Sequence, residues 1–196
     1  MTAVILHLSD IHIRSKKDWI VSKADEIAAC VFISLPAASI VFVVVSGDIA
    51  WSGTTEQYEA AKDLFSSVRA HIQAEKAIPV HFVIAPGNHD CDFNRDSGAR
   101  KLILDGVRNA PSRIDDSVID LACDVQKPFE VFANDLHTAG ETRVGDRLWT
   151  CHRFTVDGHE VVFDVLNVSW CSQIREEPGS LVFPYERYAK YEDQHV

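Results

Sequence analysis

Three short runs in this chain carry side chains suited to chemistry rather than packing: Asp10-Ile11-His12, Gly47-Asp48 and Gly87-Asn88-His89-Asp90. Carboxylates, imidazoles and amide oxygens are the ligands that hard and borderline divalent cations take. Held a few ångströms apart on rigid elements, they could seat a pair of ions that share a bridging ligand. Asp10 and His12, two apart on an extended chain, are expected to face the same way. Asp48 could bridge two ions with its two oxygens, and Asn88 adds a neutral carbonyl oxygen. Gly47 and Gly87 would relieve crowding where the backbone turns sharply towards ligands. Ions so placed lower the pKa of a shared water and clamp a phosphoryl group for in-line attack. His89 would then meet the leaving group as general acid or charge stabiliser, with Asp90 orienting its imidazole.

Each run sits at the end of an apolar stretch. Val4 to Ser9 leads into Asp10, Ile40 to Ser46 leads into Gly47, and the run from Val80 ends at Gly87. Between them lie two helical patterns. Ile20, Ala24, Ile27, Ala28 and Val31 repeat on helical spacing over about 18 to 33. Tyr58, Ala61, Leu64, Phe65, Val68 and Ile72 form the stripe of a second helix, with Thr54 and Gln57 spaced as a capping box. Strand, helix, strand, helix, strand predicts a parallel sheet, whose carboxyl edge is where ligands collect. Taken singly, Asp-x-His arises by chance and Gly-Asp after a strand is a common turn. Three such turns ending successive strands of one βαβαβ pattern would have to converge by accident.

From Arg95 to Asp146 the pattern turns helical. Leu102, Ile103, Leu104 and Val107 predict one helix; Val118 to Leu136 predicts another, broken or kinked at Pro128. The segment reads as a helical insertion packed over one side of the strand ends. Leu148 to Val156 and His159 to Val168 then flank Asp157-Gly158, a two-residue hairpin signal that starts an antiparallel sheet. Pro184 stands near a last helix start, followed by Tyr185, Tyr188 and Ala189.

Composition is that of a globular protein, expected here as one domain spanning 1–196: 46% hydrophobic, 24% charged and 196 residues long. A net charge of −10 leaves no broad basic footprint for duplex nucleic acid. Five cysteines without a Cys-x-x-Cys pair suit a reducing, cytoplasmic setting better than a disulfide framework. The stretch Ala28 to Ser46 is free of charge and nearly long enough for a bilayer. Pro36, the serines and the β-branched run Ile40 to Val45 favour a helix end, a turn and a buried strand instead.

With Leu8-Ser9-Asp10-Ile11-His12, Ser46-Gly47-Asp48-Ile49-Ala50 and Gly87-Asn88-His89-Asp90 in that order, the chain resembles the calcineurin-like metallophosphoesterases, in particular their cyclic-nucleotide phosphodiesterase-like branch. The resemblance is close over residues 1 to about 95 and looser through the hairpin to about 170. It implies an α/β, four-layer αββα sandwich. It implies that Asp10, His12 and Asp48 hold one divalent metal, that Asp48 and Asn88 hold a second, and that His89 is the catalytic imidazole. The metals would be manganese, iron or zinc, and the substrate a phosphoester, with a cyclic nucleotide one candidate and nucleic acid less favoured. Trp51 departs from the pattern, standing where the family often carries Asp or Asn. The family's later strand-end His and its final Gly-His-x-His are not recognisable: Gly158-His159 is half of that motif and sits in a hairpin turn. His7 and His81 read as core residues, His152 as a mid-strand histidine opposite Phe163, and His71 and His137 as helical. His195 stands where the next strand would begin. The expectation is a fold incomplete at its C-terminus, with further domains beyond residue 196. A degenerate domain retained for binding or assembly, and a metal-dependent nuclease, are the alternative functions.

Overall fold

A computed structural model describes residues 2–109, 114–138 and 140–189. Strands β1 (Ala3–Leu8), β2 (Ile40–Ser46) and β3 (Val80–Ala85) form a parallel sheet in the order β1-β2-β3. Leu8 pairs with Val45, and Ser46 with Ala85, so all three strands end at one edge. The six residues Ile40 to Val45 explain why β2 is central. Val41, Val43 and Val45 point into one core and Ile40 and Phe42 into another, the period-2 pattern of a strand buried on both faces.

The first of those cores lies under α1 (Ala24–Ala29), α2 (Thr55–Glu75) and α5 (Lys127–Asp135). Phe65 stacks on Phe82 at 5.3 Å and Tyr58 on Phe132 at 5.0 Å. The expected capping box starts α2: Thr54 caps it and Gln57 reaches back. The helix expected over 18–33 is shorter, a 3-10 turn (Trp19–Lys23) running into α1, with the Ser22 hydroxyl bonded back to the Trp19 carbonyl at 2.7 Å.

On the other face lies an antiparallel sheet of β4 (Glu141–Gly145), β5 (Trp149–Val156) and β6 (His159–Leu166), in that order. Phe42 meets Phe154 and Phe163 edge-on, both at 4.9 Å. The hairpin forms as expected, because Asp157 (φ 50°) and Gly158 (φ 79°) both accept the positive φ that a tight two-residue turn requires. Ser39 bonds the Asp157 carboxylate at 2.6 Å, tying the hairpin tip to the start of β2. The outer face of this sheet carries α3 (Gly98–Asn109) and α4 (Asp116–Ala122), whose Leu104, Val107, Ile119 and Ala122 bury Leu148, Trp149, Cys151 and Trp170. The result is the four layers expected, helices outside two facing sheets.

Three expectations need correction. Residues 95–146 are not a purely helical insertion: Glu141–Gly145 is β4, which the charged, weakly alternating ETRVG sequence conceals. Nor does the segment form one body over the strand ends, since α5 joins the first core while α3 and α4 cover the second sheet. The break expected at Pro128 is present: α4 ends at Ala122, a 3-10 turn (Cys123–Gln126) follows, and Pro128 stands in the first turn of α5, where its missing N–H has no partner to lose. His7 is exposed rather than packed, because β1 is an edge strand whose Ile5 and His7 side is left uncovered. His81 is buried and bonds Thr138 at 2.6 Å. His152 lies opposite Phe163 as read, and is buried. The chargeless stretch resolves into a turn around Pro36 and β2; no helix among the described residues is long and apolar enough to cross a membrane. His195 lies outside the described residues.

Two buried carboxylates hold parts of this framework together. Asp90 is fully buried, and its oxygens accept from Ile49 N (3.2 Å), Ala50 N (2.9 Å), Gly87 N (2.8 Å) and the Tyr58 hydroxyl (3.0 Å). One side chain thus joins the end of β3 to the chain after β2 and to α2. Burial pushes the Asp90 carboxyl up, and those four donors pull it partly back. Glu141 on β4 takes a short hydrogen bond from His152 Nδ1 and lies 3.6 Å from His137 Nε2. Burial raises its pKa, but the hydrogen bond and the charges of His152, His137 and Arg143 outweigh it and leave the carboxyl below its ordinary value.

Because every partner of both Asp90 oxygens is a donor, Asp90→Asn must point its amide N–H at donors whichever way it turns. Urea denaturation should show it less stable by about 3 kcal/mol, and Tyr58→Phe by about 1 kcal/mol; an Asn variant as stable as the parent contradicts this reading. Glu141, with its pKa depressed by folding, stabilises above the unfolded carboxylate range, and that contribution is lost as pH falls through the folded value. Glu141→Gln should therefore flatten the acid limb of the stability–pH profile, and an unchanged slope would count against the pairing.

Candidate metal centre

The backbone at the strand ends adopts conformations that L-residues avoid. Asp10 (φ 54°), His12 (φ 53°) and Asp48 (φ 55°) all lie in the left-handed region, which costs of order 1 kcal/mol for a residue with a side chain. A short ladder holds them there. Asp10 N donates to Gly47 O at 3.2 Å, His12 N to Asp48 O at 2.9 Å, Ile13 N to Ile49 O at 2.9 Å, and Trp51 N to Ile13 O at 3.0 Å. Ile13, Ile49 and Ala50 beneath it are fully buried. Asp10 and His12 therefore converge through paired left-handed turns after β1 has ended, not through the side-chain alternation of an extended strand.

The third strand end presses against the second. A Cβ on Gly87 would lie 2.0 Å from Asp48 Oδ1, and one on Gly47 would lie 3.0 Å from the Gly87 Cα. Both positions need glycine for that approach, and Gly47 also holds φ 105°.

Single ligand atoms of His12, Asp48 and His89 all lie within 4.8 Å of one another. The imidazoles of His12 and His89 meet edge-on with centroids 4.5 Å apart, and His12 Nε2 is 3.9 Å from Asp10 Oδ1. Asp48 Oδ1 accepts from His89 N at 3.0 Å. His12 Nδ1 is buried without a hydrogen-bond partner, unusual for a nitrogen removed from water. Mixed oxygen and nitrogen donors, one nitrogen unsatisfied and a glycine-lined close approach together fit a divalent cation. Asn88 occupies the same turn, exposed, with no side-chain hydrogen bond among the described residues.

The expected role of Asp90 does not survive. Its carboxylate is spent on backbone N–H groups and Tyr58, while His89 Nδ1 bonds the Trp51 carbonyl at 2.7 Å. Trp51 therefore fixes the imidazole and leaves Nε2 as its outward nitrogen. A backbone carbonyl leaves no mark in the sequence. The Trp51 indole lies 5.6 Å from the His12 ring and 5.2 Å from the His89 ring. His159 opens β6, exposed, and stands outside the cluster.

A separate cavity of about 170 Å³ lies between the sheets, lined by residues including Phe82, Phe129, His137, Glu141 and His152. It shares no residue with the cluster, and its charged groups are already paired: His152 with Glu141, Arg147 with Glu130. The strand-end cluster is the stronger candidate, because His12 Nδ1 is buried there without a partner, whereas no described side-chain atom lining the cavity is.

No curated protein shows a significant match to the chain. The model of the calcineurin-like phosphoesterases matches residues 3–178, a span containing all three strand ends and the hairpin sheet. The order of the motifs, the four layers and this match agree: the chain belongs to the calcineurin-like phosphoesterase family.

Proposed function

We propose that the protein hydrolyses phosphodiesters with a dinuclear metal centre at the strand ends. The family is one of metal-dependent phosphoester hydrolases; the diester substrate, the pair of ions and the residue roles are the further reading. The observation that carries it is the convergence of His12, Asp48 and His89 within 4.8 Å, on a backbone strained at Asp10, His12 and Asp48. Strain of this kind persists only where the surrounding structure over-determines it, and it clusters at functional sites.

Asp10, His12 and Asp48 would hold one ion, and Asp48 with Asn88 the other. Manganese, iron and zinc all suit this mixture of carboxylate, imidazole and amide oxygen. Bound ions supply a water of lowered pKa and a Lewis acid for the phosphoryl oxygens. The remaining work falls to the chain's own groups. Trp51's carbonyl accepts from His89 Nδ1 and so fixes the ring. His89 Nε2 then stands as the atom that passes a proton to the leaving oxygen, or stabilises its charge. Asp90 acts at a distance, by holding Gly87 and the chain after Asp48 in place. A cyclic nucleotide is a fitting diester; duplex nucleic acid is disfavoured by the net charge of −10. Five free cysteines, four of them buried, support a reducing, cytoplasmic setting.

A second reading is a binding or assembly module within a larger protein. It is favoured by the exposed place of His159, which gives the cluster no further imidazole.

Hydrolysis of bis(p-nitrophenyl) phosphate by the full chain with manganese separates the two. The enzyme reading expects turnover that a chelator abolishes. Asp48→Ala should lose it almost completely, and His89→Ala should fall by roughly 10²–10⁴-fold, the usual contribution of a positioned proton donor. Manganese binding without turnover would transfer the case to the binding module.

A further inference from the structure

The ladder that positions the cluster also sets a cation beside it. Ile13 bridges to Ala50 in parallel register, so the residues that follow, Arg14 and Trp51, emerge side by side. The Arg14 guanidinium carbon stands 4.1 Å from the centre of the Trp51 indole, a cation–π contact. Both residues are exposed, with Trp51 at 42%. The same indole flanks the rings of His12 and His89. Arg14 is thus held one ring away from the candidate metal ligands.

Its guanidinium differs in pairing from the cation two residues on. Neighbouring Lys16 is paired with Asp63 at 2.8 Å. Among the described residues the Arg14 guanidinium has no carboxylate partner; the nearby Asp18 accepts from the backbone N–H of Arg14 instead, at 3.2 Å. The chain around it carries net charge −10, and Asp10 and Asp48 stand at the cluster. Beyond the charge that bound ions would supply, a planar fork of N–H donors matches two oxygens of one phosphoryl group. Shelving the fork on an indole limits the rotamer freedom that binding would otherwise remove.

Resting on the metallophosphoesterase reading of the site, we infer that Arg14, supported by Trp51, is the clamp for the substrate's phosphoryl oxygens. Trp51 then has two separate duties. Its carbonyl fixes His89, and its indole fixes Arg14, so only the second depends on the side chain.

Calorimetric titration of the full chain with inorganic phosphate in the presence of manganese tests the clamp directly. Arg14→Ala should weaken phosphate binding at least about tenfold, roughly 1.4 kcal/mol. Arg14→Lys should fall between the two, keeping charge but losing the fork, and Trp51→Leu should weaken binding while its carbonyl still holds His89. Manganese affinity should stay at the parent value in all three, which a general loss of structure would not allow. Phosphate binding by Arg14→Ala at parental strength, or a parent that binds no phosphate, overturns the clamp. With the aryl diester as substrate the two readings part: turnover whose KM is indifferent to Arg14→Ala sinks the clamp alone. Arg14-dependent phosphate binding without turnover sinks the enzyme alone.

Discussion

The buried carboxylate of Asp90 is the constraint on which the rest of the strand-end architecture depends. Parallel strands end at the same edge, but nothing in a sheet dictates what the chain does next. Asp90 supplies that instruction, drawing Ile49, Ala50 and Gly87 around one fully buried group and anchoring it to α2 through Tyr58. The chain after β2 and the chain after β3 are thereby brought close enough that only glycine fits at position 87. A charge so deep is tolerable because four donors replace the water it has lost.

The apolar layers serve the same end by removing freedom from the strands. β2 is buried on both faces, so its register is fixed by two cores at once, and slippage by one residue would reverse every side chain. Aromatic rings dominate both contacts, with Phe42 against Phe154 and Phe163 on one side and Phe65 against Phe82 on the other. The metal-ligand candidates can therefore sit on irregular backbone and still be placed accurately, because the elements that launch them cannot shift.

Much of this was legible in the residues. The period-2 run of β2, the stripe and capping box of α2 and the Asp157-Gly158 turn are local signals, and each appears where read. The three polar runs at strand ends mark the cluster, since parallel strands deliver their ends to one edge. Side-chain alternation does not explain how Asp10 and His12 meet, because it assumes extended backbone and these residues are left-handed. Asp90 illustrates a related cause: adjacency in sequence to His89 suggests a hydrogen bond that the backbone carbonyl of Trp51 makes instead. β4 escaped notice because a short, exposed, charged edge strand is made by its pairing with β5 rather than by its own composition. Arg14 beside Trp51 depends on the register of one isolated bridge, which no residue pattern encodes.

The left-handed trio has an evolutionary corollary. Glycine would relax each of those three positions, so Asp10, His12 and Asp48 are places where thermal robustness and reactivity pull in opposite directions. A lineage screened only for heat tolerance would be free to drift there towards glycine, gaining a quieter backbone as it gave up its ligands. Persistence of the acids and the imidazole would mark a lineage in which the chemistry is still under selection.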